Sequence, residues 1–103
     1  MILIIVLDGL RPDQINPSDT PNLLRLAQRG VEFQAHHSVF PTHTRVNVAT
    51  LFTGRYPAGH GLVGNTLFMP ELDPAWKVST GQRDSILGLE RRLNGRLLTA
   101  ETL

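Results

Sequence analysis

At 103 residues, 41% apolar and 18% charged, the chain has the composition of an ordinary folded domain, which excludes disorder. Ten basic residues against nine acidic ones give a net charge of +1 with neither sign concentrated, so the sequence carries no nucleic-acid or membrane-surface signature. It has no cysteine, which excludes disulfides and thiolate metal sites, so any metal must be held by oxygen and imidazole ligands.

The apolar run Ile2-Leu3-Ile4-Ile5-Val6-Leu7 predicts a central parallel strand buried on both faces. It is too short for a membrane span or a signal peptide, so the chain as written is expected to be cytoplasmic and not addressed for export. Asp8-Gly9 ends this strand in a sharp turn, and residues 12–17, with proline at both ends, read as loop. Ser18-Asp19-Thr20 before Pro21 is a helix-start pattern in which Thr20 caps free amides and Pro21 takes the first helical position. Leu23, Leu24, Leu26 and Ala27 form the apolar side of that helix, and Gly30 stops it. Val31, Phe33 and Ala35 alternate with Glu32, Gln34 and His36, which predicts a half-buried strand over residues 31–40.

A second helix is predicted from Thr44, with Val46, Val48, Ala49, Leu51 and Phe52 apolar and Gly54 closing it. Gly59, Gly61 and Gly64 mark a flexible loop, residues 70–80 read as irregular, and residues 85–93 resemble a surface helix ending at Asn94-Gly95. Thr99 with Ala100-Glu101-Thr102-Leu103 reads as a cap and the first turn of a helix that does not continue. The expectation is an N-terminal fragment of a larger domain, self-associating through its unpaired sheet edges and apolar surface.

Two residue types at two positions suggest chemistry. Asp8 follows the first predicted strand, where open α/β sheets form their binding crevice, although an Asp-Gly pair is equally a common turn. Thr44 opens a helix, where free amides and the positive end of the dipole suit a phosphate. A threonine hydroxyl is a weak nucleophile at neutral pH, and metal coordination is one of the few ways to activate it without a neighbouring base. The bland alternative for Thr44 is an N-cap worth about 1 kcal/mol.

Leu7-Asp8-Gly9-Leu10-Arg11, Thr20-Pro21-Asn22-Leu23 and the block from Phe40 to Gly61 occur in an order that resembles the alkaline phosphatase superfamily. Within it, Phe40-Pro41-Thr42-His43-Thr44, Thr53-Gly54-Arg55-Tyr56-Pro57 and His60-Gly61 look most like the type I phosphodiesterase and nucleotide pyrophosphatase family. The resemblance covers most of residues 2–68. It implies an α/β fold, of which residues 1–103 would be the N-terminal part of an alkaline-phosphatase-like sheet sandwiched by helices. It also implies two Zn2+ ions in the complete domain, with Asp8 and Thr44 as metal ligands and Thr44 as nucleophile. Asn65 and the Thr44 amide would then donate hydrogen bonds to the phosphate oxygens of a small phosphate ester or nucleotide substrate.

The implied reaction is hydrolysis of phosphodiester or nucleotide pyrophosphate bonds through a phospho-threonine. The other zinc ligands of the family come from further along the chain, and residues 66–103 contain no histidine, so these 103 residues alone are expected to be at best a feeble catalyst. His36 and His37 read as surface residues or as supports behind a site, His60 as structural, and Asn47 as a tie for the first turn of the second helix. His43 stands where the family usually has lysine, and Val46 where it often has proline. Rival readings are a phosphomonoesterase or phosphonate hydrolase, a sulfatase-like hydrolase kept in view by the Thr44-Arg45 pair, a phosphoglycerate mutase, and a non-catalytic α/β module.

Overall fold

The computed structural model describes residues 2–75 and 77–103, so Trp76, within the stretch read as irregular, lies outside the described residues. The chain divides into two units, Met1–His36 and His37–Leu103, each with its own internal packing. Helices and one small two-stranded antiparallel sheet make up its regular structure among the described residues.

In the first unit, helix α1 spans Pro21–Arg29. Proline at the first position costs no helical hydrogen bond, because that N–H would lack an intrahelical partner anyway. Thr20 occupies the cap position, yet its hydroxyl makes no capping bond. That hydroxyl instead donates to the Gln14 carbonyl at 2.7 Å and accepts from the Asn16 amide at 3.3 Å. Asn16 organises the loop before α1: its Oδ1 accepts from the amides of Ser18 and Asp19, and its Nδ2 donates to an Asp19 carboxylate oxygen at 2.7 Å. Pro12–Gln14 form a short 3-10 turn within that loop. Leu23, Leu24 and Ala27 are half-buried, whereas Leu26 is 68% exposed and does not share the packed face.

Neither predicted strand of this region forms. Residues 2–7 are irregular and exposed, Ile2 at 92% and Leu3 at 73%, and Val31 and Phe33 are exposed as well. A strand is defined by a hydrogen-bonded neighbour, and the one ladder among the described residues lies elsewhere, between residues 66–67 and 78–79. The turn after residue 7 does form: the Leu10 amide donates to the Leu7 carbonyl, and Gly9 takes a φ of +78°, which a side chain would disfavour.

In the second unit, α2 spans Thr44–Thr53 and α3 Pro57–His60, and the two pack together. Gly54 ends α2 in the left-handed conformation, φ 63°, with its amide on the Thr50 carbonyl. Strands β1, Thr66–Leu67, and β2, Val78–Ser79, pair antiparallel, with Thr66 opposite Ser79, and α4, Arg83–Arg92, packs on β2. Asn94 and Gly95, both at positive φ, follow α4 as the sequence predicts. The buried side chains are Val46 and Ala49 of α2, His60 of α3, Leu62, Val78 of β2, Thr80 and Leu89 of α4. The outward residues Val48, Leu51 and Phe52 of α2 are exposed.

His60, fully buried, accepts at Nδ1 from the Leu62 amide at 3.1 Å. That fixes the proton on Nε2, which lies 3.0 Å from the Thr50 hydroxyl, so the imidazole joins α2 to the loop after α3. Its structural role is as the sequence suggests. The terminal segment forms no helix, because the Leu103 amide that would close a first turn bonds the Phe52 carbonyl instead. It lies instead as a strap over α2 and α3: the Thr99 amide donates to the His60 carbonyl, the Thr99 hydroxyl to the Gly59 carbonyl, and the Leu103 amide to the Phe52 carbonyl.

Leu89→Ala should lower the unfolding free energy by about 2–5 kcal/mol, the cost of removing a fully buried leucine, measured by urea titration. His60→Gln should cost roughly 1–3 kcal/mol by stranding the Leu62 amide; a loss below about 0.5 kcal/mol would show that the imidazole is not the link between α2 and its loop.

Candidate phosphate-binding site

The first turn of α2 is fixed before any ligand is considered. Asn47 donates from Nδ2 to the His43 carbonyl at 3.0 Å and accepts at Oδ1 from the Val39 amide at 2.9 Å. It therefore ties the segment leading into α2 back onto the helix. Thr44 is the first helical residue, after His43 in extended conformation, and is exposed. At this position it sits at the positive end of the helix dipole.

Asn65, 21 positions later in sequence, is brought to the same helix end. Its Oδ1 accepts from the Arg45 backbone amide at 3.3 Å, so its carboxamide lies against the residue next to Thr44. An N–H can bond only the oxygen of the carboxamide, so Oδ1 is the atom set against the Arg45 amide, and Nδ2 makes no hydrogen bond among the described residues. The Asn65 carbonyl is held by three donors: Arg45 Nη1 at 2.8 Å, the Thr80 amide at 3.0 Å and the Thr80 hydroxyl at 2.9 Å. Arg45 Nη1 also reaches the hydroxyls of Thr80 at 3.2 Å and Ser79 at 3.4 Å. The His43 ring lies beside this loop, its Nδ1 3.8 Å from where a Cβ on Gly64 would be.

Arg45 has no ion-pair partner among the described residues. A half-buried guanidinium faced by neutral oxygens leaves a positive charge beside the helix N-terminus, and both features favour an anion there. The site thus comprises Thr44 as an exposed residue, a carboxamide whose Nδ2 makes no hydrogen bond among the described residues, and a positive field, which together suit a phosphate group.

The sequence-predicted residues belong to different units of the chain. Thr44 and Asn65 lie together in the second; Asp8 lies in the first, exposed in the turn closed by Leu7 and Leu10. His36 and His37 are exposed, as expected of surface residues. No group of three or more His, Cys, Asp or Glu side chains that could hold a metal occurs among the described residues. Catalytic zinc generally takes three protein ligands, so one carboxylate and one hydroxyl do not make up such a site.

The role of Arg45 is not legible in the sequence. Its partners Asn65, Ser79 and Thr80 lie 20 to 35 positions away, and the segment contributing Ser79 and Thr80 reads as irregular.

The sequence model of the family described as type I phosphodiesterase / nucleotide pyrophosphatase matches residues 2–101. An uncharacterized pyrophosphatase/phosphodiesterase of Schizosaccharomyces pombe is 40% identical over 88 residues, covering 73% of this chain and 18% of that protein. A bis(5'-adenosyl)-triphosphatase of Xenopus laevis is 34% identical over 67 residues, covering 65% of this chain and 15% of its own length. The bovine ectonucleotide pyrophosphatase/phosphodiesterase family member 3 is 29% identical, over 82% of this chain and 10% of that protein. The chain therefore spans less than a fifth of the length of these relatives. No solved structure matches it. With the family model matched along nearly its whole length, the chain belongs to the type I phosphodiesterase / nucleotide pyrophosphatase family.

Proposed function

We propose that the protein carrying this chain hydrolyses phosphate esters, at phosphodiester or nucleotide pyrophosphate bonds, with Thr44 as nucleophile and Asn65 as a donor to the phosphate. The observation behind this reading is the Asn65 Oδ1 bond to the Arg45 amide, which joins two residues distant in sequence at one helix end. Family membership supplies the reaction class. The relatives' names point to nucleotide substrates, among them the bis(5'-adenosyl)-triphosphatase.

In this reading the Thr44 Oγ attacks phosphorus in line with the leaving oxygen. The new O–P bond forms as the old one breaks, the leaving oxygen keeps the bonding pair, and the threonine proton passes to solvent. Charge accumulates on the non-bridging oxygens, where Asn65 Nδ2 and the Thr44 amide donate. The helix dipole and the Arg45 charge favour the same anionic state. Water then attacks phosphorus, releasing phosphate or its monoester and restoring the Thr44 hydroxyl.

Zinc is proposed as the cofactor, two ions in the complete domain, with Asp8 and Thr44 each offering an oxygen ligand. The remaining ligands would come from groups that the described residues do not gather. The chain is likewise proposed as the N-terminal portion of a single alkaline-phosphatase-like catalytic domain, whose sheet would supply the neighbours that residues 2–7 lack here.

Hydrolysis of bis-p-nitrophenyl phosphate and p-nitrophenyl phosphate, with zinc added, tests the reading in the 103-residue chain and in a chain extended to the length of its relatives. The extended chain should cleave the diester in preference to the monoester. Thr44→Ala should abolish that activity, and Asn65→Ala should lower it by about a hundredfold or more. Full activity in Thr44→Ala would rule out the assigned nucleophile.

A further inference from the structure

Arg45 holds residue 65 at two points. Its backbone amide meets the Asn65 side-chain oxygen, and its guanidinium meets the Asn65 main-chain oxygen at 2.8 Å. The same Nη1 reaches the hydroxyls of Ser79, the last residue of β2, and of Thr80 just after it, so one side chain links the first turn of α2, the Asn65 loop and the end of β2. Gly81 leaves the room for this: a Cβ added there would fall within the guanidinium group itself. The guanidinium is thereby turned into the protein and away from the role of a substrate ligand.

We propose that Arg45 is a positioning residue for the phosphate-ester reaction, holding Asn65 at both oxygens so that its Nδ2 is presented beside Thr44, with Gly81 as the space that lets the guanidinium lie there. This rests on the reading of Thr44 and Asn65 as the phosphate-binding pair. The bond to Oδ1 sets which way the carboxamide faces. Without it the group can turn over and offer its oxygen, which would repel a phosphate. The bond to the main-chain oxygen keeps residue 65 within reach of the Arg45 amide. Thr80 also holds that main-chain oxygen, through its amide and its hydroxyl, and is the competing explanation for the position of the loop.

The test is NMR on the isotope-labelled 103-residue chain and its Arg45→Ala, Arg45→Lys and Gly81→Ala variants, with inorganic phosphate as the probe. Lysine keeps the charge but not the planar fork, and Gly81→Ala dislodges the guanidinium without altering it, so these two separate positioning from charge. With the Val46 and Leu89 methyl signals in place as evidence of folding, all three variants should shift the Asn65 side-chain amide pair. They should also speed exchange of the Arg45 amide by about fivefold, the scale of one lost hydrogen bond. Phosphate should shift the Asn65 pair in the parent chain and do so more weakly in the variants. If Arg45→Ala unfolds, Arg45→Lys and Gly81→Ala decide. An Asn65 pair and phosphate response unchanged in folded variants would overturn the proposal and assign the loop's position to Thr80. No response to phosphate at Asn65 in the parent chain would defeat the phosphate-binding pair itself, and the proposal with it.

Discussion

The attachment of the first turn of α2 to the Asn65 loop is the constraint on which the candidate site depends. A helix N-terminus alone is only a set of unpaired amides with a dipole behind them. What distinguishes this one is that its second amide is already committed, to Asn65 Oδ1, and that commitment holds a carboxamide distant in sequence against the residue next to Thr44. The Arg45 guanidinium and Thr80 hold the same loop from its main-chain side. Asn47 holds the approach to the helix, and His60 holds its far half through Thr50. The second unit is thus arranged around α2, with polar bonds fixing its position and a small set of buried residues supplying the apolar contact.

Helices α1, α2 and α4 were legible in the sequence; the short α3, the non-helical terminal segment and the strands were not, and for the strands the reason is physical. Helical hydrogen bonds are local, so Pro21 at one end and Gly30 at the other bound α1, and Thr44 and Gly54 bound α2, within the segment itself. A strand needs a neighbour. Ile2 to Leu7 has the composition of a central strand, but nothing among the described residues pairs with it, and its side chains are exposed. Residues 31–40 likewise find no strand neighbour among the described residues. The one ladder that forms, Thr66–Leu67 with Val78–Ser79, is two residues long and too short to leave an alternating pattern.

The site was half legible. Thr44 could be placed at a helix start from its own neighbours, and Asn65 followed from the family resemblance; the bond that unites them spans 20 residues and has no local signature. Thr20 shows the reverse case. Its place at a helix start was readable, but its hydroxyl bonds the preceding loop, a choice set by the Gln14 carbonyl folding back within reach. Asp8 stands in the turn its Asp-Gly pair predicts, in the first unit of the chain. Its proposed part as a metal ligand rests on the family pattern.

Membership in the type I phosphodiesterase / nucleotide pyrophosphatase family and the arrangement around Thr44 lead to a single chemical claim, that this hydroxyl becomes covalently bonded to phosphorus during turnover. The direct measurement is acid quenching of the zinc-supplemented protein, at the length of its relatives, during hydrolysis of a nucleotide diester, followed by mass spectrometry of its peptides. The account predicts a phosphorus-containing adduct on Thr44 that disappears as substrate is exhausted. Turnover with the adduct on another residue, or with none trapped at any quench time, would contradict it.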